Sequence, residues 1–229
     1  MGYMIIVGVV SIVGAFVQRR LKSKFKFYSQ HRLNNGMSGK DIAEKMLADN
    51  GLYDVQVLPS NGFLSDHYNP KNKTVNLSPD VYQGNSVAAA AVAAHECGHA
   101  VQHATAYPML QFRSNMVPIV KVASMMQKWI LMIGFALFAS MNNPMLLMVV
   151  VGVFAVTCLF SVITLPVEYD ASNRALAWLD AGGSYELTEQ EHEGAKDALK
   201  WAARTYLVAA LGALAQLLYF WMMMNNRRN

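Results

Sequence analysis

The sequence predicts a mainly α-helical integral membrane protein with a small antiparallel β-sheet and about four transmembrane helices. Hydrophobic residues make up 54% of the 229 residues, and charged residues make up only 15%. The mean hydropathy of +0.21 is likewise too high for an ordinary soluble domain. Long apolar segments predict the membrane helices, whereas short alternating segments between turn residues predict the sheet.

The first predicted element is an N-terminal transmembrane anchor over residues 1–18. Its apolar stretch is followed at once by five basic residues, Arg19, Arg20, Lys22, Lys24 and Lys26. In a cleaved signal peptide the positive charges precede the apolar run, so this order predicts an uncleaved anchor. Basic residues favour the cytoplasmic side of a cell membrane, so we expect the C-terminal end of the anchor to face the cytoplasm.

The next segment, residues 19–127, has the composition of a water-exposed catalytic part. Ser38 and Asp41 form a capping-box pattern that predicts a helix over 39–49. Turn residues then separate three predicted strands, at 53–58, 62–68 and 73–77. The last strand either holds an extended substrate by strand addition, through Thr74, Val75 and Asn76, or is a structural hairpin strand.

The strongest chemical signal is a pair of histidines, His95 and His99, with Glu96 between them. On a helix this spacing is a rotation of about 400° and a rise of about 6 Å, so both imidazoles leave the same face. Two such histidines can bind one metal ion while the intervening glutamate reaches a water molecule as a general base. Ser86 predicts the start of this helix, and Pro108 predicts that it ends before that residue.

Other residues near the motif are weaker ligand candidates. Cys97 points about 200° away from His95 around the helix, and with Cys158 as the only other cysteine a disulfide framework is not expected. His103 lies on the histidine face but about 12 Å from His95, which is too far for one zinc ion to bind both from a straight helix. We therefore expect His103 to support the site or to face solvent.

The remaining sequence predicts a return through the membrane. A transmembrane hairpin over 128–165 turns at Asn142 and Asn143, and a last transmembrane helix covers 206–224. Residues 166–205 lie between them and include the start of the last helix. A hairpin returns the chain to the side it left, so this segment and the histidine motif are both expected at the cytoplasmic face.

Glu168 is the expected third metal ligand, because a catalytic zinc usually has three protein ligands. It is predicted near the start of a helix, on the same side of the membrane as the two histidines. Taken alone, an acidic residue there is better explained by stabilisation from the helix dipole. Asp170 is the competing ligand.

The chain resembles the bacterial YugP-like family of neutral zinc metallopeptidases. The resemblance spans most of the chain and is carried by four segments, Ser65–Pro70, Val75–Pro79, Ala94–Gln102 and Leu165–Ala175. It implies zincin-like catalytic helices in a membrane protease that is distantly similar to HtpX-like proteases and CAAX prenyl endopeptidases. It also implies that His95, His99 and Glu168 bind one Zn²⁺ per chain, with Glu96 as general base.

One position departs from those more distant families. They have an aspartate four residues after the third ligand, where this sequence has Ser172, so Asp170 or Asn173 is expected to support a histidine instead. The group that stabilises the oxyanion is open among four residues: Tyr169, Arg174, His103 and His67.

The predicted function is peptide-bond hydrolysis by zinc-activated water in a multi-pass membrane protein. Its expected partners are a protein or peptide substrate and the lipid bilayer, and a membrane-protein partner or a homo-oligomer stays open. Nucleic acid is not expected, because the net charge of +4 comes from a cluster behind an apolar run rather than from a basic and aromatic stripe. The alternatives are an intramembrane metalloprotease and a non-catalytic membrane scaffold with a structural zinc site.

Overall fold

The computed structural model describes residues 2–62, 64–138, 144–181 and 187–226. Seven helices and three strands lie in these residues: α1 (Gly2–Tyr28), α2 (Gly39–Asp49), β1 (Gln56–Pro59), β2 (His67–Asn69), β3 (Thr74–Leu77), α3 (Pro79–Tyr82), α4 (Val87–Ala104), α5 (Pro108–Phe138), α6 (Pro144–Leu179) and α7 (Glu189–Asn226). They form two compact units. The helical unit comprises Met1–Phe16, Gln111–Pro166 and Thr205–Asn229, and the mixed unit comprises Val17–Leu110 and Val167–Arg204.

The helical unit is built from parts of the four long helices. Tyr3, Phe154 and Phe220 are buried together, with ring centroids 5.3 Å apart for Tyr3 and Phe220 and 4.7 Å apart for Phe154 and Phe220. Leu147 and Val150 complete this apolar cluster. Aromatic and branched side chains thus join α1, α6 and α7 in this unit.

Three of the described helices, α1, α6 and α7, are long and apolar enough to cross a membrane. This agrees with the prediction of a membrane protein with about four spans. The first arm of the predicted hairpin belongs to α5, and its predicted turn at Asn142 and Asn143 lies outside the described residues.

Helix α6 continues from Pro144 to Leu179 without interruption. The prediction that Glu168 lies near the start of a separate helix is therefore wrong. Pro166 lies inside α6 and does not end it. A proline removes one backbone donor, and a helix as long as α6 retains the hydrogen bonds of its other turns.

The core of the mixed unit surrounds α4. Its alanine-rich first half is almost completely buried, and the apolar face of α2 also belongs to this core. The predicted α2 is confirmed, because Ser38 accepts a hydrogen bond from the Asp41 backbone N–H while the Asp41 carboxylate accepts one from the Ser38 N–H. Small alanine side chains let neighbouring backbones approach α4 closely.

The sheet is mixed, so the prediction of an antiparallel sheet is wrong. Its strand order is β1-β3-β2, with β1 parallel to β3 and β2 antiparallel to β3. Val75 and Leu77 of β3 have no exposed surface, so the most apolar strand takes the centre. The edge strands suit their positions: β1 ends in Pro59, which lacks a backbone donor, and β2 is polar.

The central place of β3 also corrects the prediction for substrate binding. Both backbone edges of Thr74, Val75 and Asn76 already pair with neighbouring strands. An added strand needs unpaired N–H and C=O groups, so these residues cannot bind substrate by strand addition.

Candidate metal centre

Helix α4 presents the two motif histidines to α6. The Ser86 side chain accepts a hydrogen bond from the Ala89 N–H and so begins the helix as predicted. The His95 and His99 rings then lie one turn apart, with centroids separated by 4.8 Å and planes at 80°. This arrangement follows directly from their spacing of four residues.

The carboxylate of Glu168 lies against both imidazoles. Its Oε2 atom is 3.4 Å from His95 Nε2 and 3.6 Å from His99 Nε2. The side chain of Glu168 is only 3% exposed, whereas those of His95 and His99 are 13% and 12% exposed. The structure therefore brings together the three side chains that the sequence singled out as metal ligands, in a place that is nearly closed to water.

These three donors fit a zinc ion. Their ligand atoms all lie within 4.8 Å of one another. Zinc bound tetrahedrally to nitrogen and oxygen at about 2.0–2.1 Å would hold its ligand atoms roughly 3.3 Å apart, close to both distances from Glu168. Among the described residues no further His, Cys, Asp or Glu joins this group. Three protein ligands leave a fourth tetrahedral position for a reactant.

Gly98 allows α4 and α6 to meet closely. A Cβ atom at this position would lie 2.5 Å from the Ala171 carbonyl oxygen and 3.1 Å from the Ala171 Cα. A side chain of any size there would force the two backbones apart. The glycine thus permits the contact that brings Glu168 to the histidines.

The Nδ1 atom of each histidine also has a partner. Ser172 Oγ lies 3.1 Å from His95 Nδ1, and Gln102 Oε1 lies 2.9 Å from His99 Nδ1. Such contacts orient metal-binding imidazoles and leave Nε2 as the ligand atom. Ser172, which stands at the position of the missing aspartate, itself contacts His95, a role that was expected of Asp170 or Asn173.

Asp170 supports the other histidine indirectly. Its Oδ2 accepts hydrogen bonds from Gln102 Nε2 at 2.8 Å and from Arg174 Nε at 2.6 Å. Asp170 thus contacts the glutamine behind His99 rather than the group of ligand atoms, while Asn173 is exposed.

Glu96 is fixed by the polar edge strand. Its Oε2 accepts a hydrogen bond of 3.0 Å from the Tyr68 backbone N–H. The Tyr68 hydroxyl in turn lies 2.9 Å from Nδ1 of His103, which is exposed. This hydrogen bond holds one carboxylate oxygen of Glu96 in place. Strand β2 therefore contacts two residues of α4 that the sequence singled out.

The electrostatic environment favours a cation. Burial lowers the pKa of the His99 imidazole, but the adjacent Glu168 carboxylate and the negative charge of Glu96 raise it more, so its pKa is above the ordinary value. Negative charge that stabilises a proton on His99 stabilises a metal cation in the same way.

The other residues that the sequence singled out differ in their exposure and in their contacts. Tyr169 is 43% exposed, and His67 Nδ1 bonds to the Ser65 carbonyl oxygen. The Arg174 guanidinium is held by Asp170 and lies over the Tyr107 ring. Cys97 is buried and donates toward the Ala43 carbonyl, away from the histidines, as its position on the helix predicted.

Three residues that contact His95, His99 or Glu96 were not predicted from the sequence: Gln102, Ser172 and Tyr68. Gln102 had a usable signal, because it follows His99 by three residues and so shares its face of an otherwise apolar helix. Ser172 and the Tyr68 backbone had none, since their contacts with α4 exist only after distant segments pack.

Comparison with known proteins identifies the family. The family described as "Putative neutral zinc metallopeptidase" matches residues 3–225. The chain is also similar to the "Putative membrane protease YugP" of Bacillus subtilis (strain 168), with 39% identity over 214 residues that cover 93% of this chain and 92% of that protein. No solved structure matches the chain. These matches confirm the resemblance seen in the sequence, and the chain belongs to the "Putative neutral zinc metallopeptidase" family.

Proposed function

We propose that this protein is a membrane-embedded zinc-dependent endopeptidase. His95, His99 and Glu168 bind one zinc ion, and Glu96 is the general base. The observation that carries the proposal is the approach of both Nε2 atoms to one Glu168 oxygen, at 3.4 Å and 3.6 Å, from helices that are far apart in sequence. Burying a carboxylate against two imidazoles is costly unless a proton or a cation is shared among them.

The proposed chemistry divides between the metal and the chain. Bound zinc supplies a Lewis acid that lets water attack a carbonyl at neutral pH. Glu96 accepts the proton of the attacking water and delivers it to the leaving amine. The Tyr68 N–H holds one carboxylate oxygen of Glu96 in place for both transfers. His95, His99 and Glu168 remain ligands throughout and exchange no protons with the substrate.

We further propose that the site faces the cytoplasm in the cell membrane. The five basic residues of 19–26 favour the cytoplasmic side. Because His95 and Glu168 meet, an even number of crossings separates them. Helix α6 is long and apolar enough for one crossing, and we propose that α5 contributes the other.

The alternatives have less support. Helix α4 is not one of the described helices that are long and apolar enough to cross a membrane, which disfavours an intramembrane protease. A structural zinc site is usually closed by four protein ligands, whereas three His or Glu donors meet here among the described residues.

Substitution of the proposed base tests the function. We expect Glu96→Gln to retain zinc and to lower hydrolysis of casein or a peptide library by about 10²- to 10⁴-fold, because the amide cannot accept the proton. The measurement compares zinc content and turnover of the purified full-length protein in detergent. Chelation should abolish wild-type hydrolysis, and added zinc should restore it.

Glu193→Gln is the matched control, because Glu193 is exposed and forms a salt bridge with Lys196 on the surface of α7, away from the three proposed ligands. It should keep both zinc and turnover. Wild-type turnover by Glu96→Gln contradicts the role of Glu96. A wild type that holds zinc but cleaves nothing in the library favours the scaffold.

A further inference from the structure

Gln102 is a completely buried amide behind the metal centre. It has no exposed surface, and both ends of its amide have hydrogen-bond partners. Its Oε1 lies 2.9 Å from His99 Nδ1, and its Nε2 lies 2.7 Å from the Val167 carbonyl oxygen and 2.8 Å from Asp170 Oδ2. A buried amide with both ends bonded has one fixed orientation.

The partners of Nε2 determine that orientation. The Val167 carbonyl can only accept a hydrogen bond, and the Asp170 Oδ2 atom also accepts one from Arg174 Nε, 2.6 Å away. The amide must therefore turn its two N–H groups toward them. Rotating the amide by 180° would place its oxygen against these two acceptors, with which an amide oxygen cannot form a hydrogen bond.

The orientation of Gln102 in turn fixes the proton of His99. The amide oxygen that faces His99 can only accept, so Nδ1 must carry a hydrogen. In the neutral ring Nε2 then has its lone pair, and Nε2 is the atom that lies 3.6 Å from Glu168 Oε2. We infer that Gln102 is a positioning residue that holds His99 in the metal-binding tautomer, an inference that rests on the proposed zinc site.

The two histidines differ in this respect. The partner of His95 Nδ1 is the Ser172 hydroxyl, at 3.1 Å. A hydroxyl can donate or accept, so Ser172 accommodates either tautomer of His95. Only Gln102 imposes a single tautomer. Its amide donates a hydrogen bond to Asp170, which also accepts one from Arg174 on the adjacent turn of α6. The same network therefore also ties α4 to the helix that carries Glu168.

The tautomer can be measured without metal. We expect ¹⁵N NMR of the metal-free full-length protein, at alkaline pH where imidazoles are neutral, to show His99 protonated at Nδ1 only. In Gln102→Met the amide is replaced by a thioether of similar length, so His99 should become a mixture of both tautomers. A merely structural role of Gln102 would leave the tautomer unchanged.

Zinc affinity gives a second readout, by competition with a chelator. Loss of a group that orients a metal ligand typically weakens metal binding about 10- to 100-fold, and we expect this range for Gln102→Met. Ser172→Ala should have a smaller effect. Thr105→Val, at the C-cap of α4, is the matched control and should bind zinc normally, because the described contacts of its hydroxyl are with backbone carbonyl oxygens of α4.

The possible results distinguish a failure of this inference from a failure of the proposed function. A wild-type His99 protonated at Nε2 overturns the inference, and so does a folded Gln102→Met protein with wild-type tautomer and zinc affinity. The wild-type tautomer needs no variant, so the inference is testable even where Gln102→Met does not fold by circular dichroism. A wild type that binds no zinc contradicts the proposed function itself, independently of the tautomer result.

Discussion

Gly98→Ala should separate the two helices that form the metal centre. The new Cβ would lie 2.5 Å from the Ala171 carbonyl oxygen, whereas ordinary contacts begin at 3.4 Å. The backbones must therefore move apart by roughly 0.9 Å to restore contact distance. Ala171 is in the helical turn after Glu168, so this displacement acts close to the proposed third ligand.

The size of the effect follows from the geometry of zinc. Ligand distances in zinc sites vary by about 0.2 Å, so a shift of about 0.9 Å cannot be absorbed at the metal. Overpacking costs about 1–3 kcal/mol, and the higher helix propensity of alanine offsets at most about 1 kcal/mol of this. We expect zinc affinity to fall at least about tenfold, which corresponds to about 1.4 kcal/mol.

The assay is chelator competition for zinc on the detergent-solubilised full-length protein, with helix content followed by circular dichroism. Gly152→Ala is the matched control, because a Cβ at Gly152 in α6 meets no atom within 4 Å. It should bind zinc like the wild type. Unchanged zinc affinity and thermal stability in Gly98→Ala would refute the argument that this contact positions Glu168.

Two further predictions concern α2 and the membrane orientation. Hydrogen bonds from Ser38 lower the pKa of Asp41, so the ionised carboxylate stabilises the fold above the ordinary Asp pKa, and this contribution is lost as pH falls through the lower folded value. Ser38→Ala should therefore reduce the free energy of unfolding by about 1 kcal/mol at neutral pH, with a smaller difference below about pH 4, as measured by urea denaturation at several pH values. An equal difference at all pH values would contradict the role of the charge. For the orientation, a cysteine at exposed Lys71 should react with a membrane-impermeant maleimide in inverted vesicles but not in intact cells, since native Cys97 and Cys158 are buried. Labelling in intact cells would place the site outside.

Much of the site could be predicted because its strongest signal is local. The spacing of His95 and His99 places both on one face of any helix, and Ser86 begins that helix wherever it packs. The two glutamates of the site differ in how directly the sequence predicts their positions. Glu96 follows from the motif, whereas Glu168 required a membrane hairpin that returns the chain to the same side. Its helix was still misjudged, since Glu168 was predicted near the start of a separate helix, whereas α6 continues through it.

The sheet shows why strand order is not a local property. Turn residues located three strands, and the β2 to β3 hairpin is antiparallel as expected. The placing of β3 between the other two depends on burying Val75 and Leu77 in the core of the mixed unit. Because both edges of β3 are paired, Thr74–Asn76 cannot bind a substrate by strand addition.

By itself the sequence determined the class of protein, the apolar helices, the capping of α2 and α4, and the pair of histidines with its glutamate. Each of these depends on residues within a few turns of one another, so periodicity and spacing are sufficient. Only the tertiary structure decided that Gly98 lets α6 approach, that Ser172 lies behind the His95 imidazole, and that Tyr68 holds Glu96. Those contacts join segments far apart in sequence, and their geometry is set by how the buried surfaces of the helices and the sheet pack together.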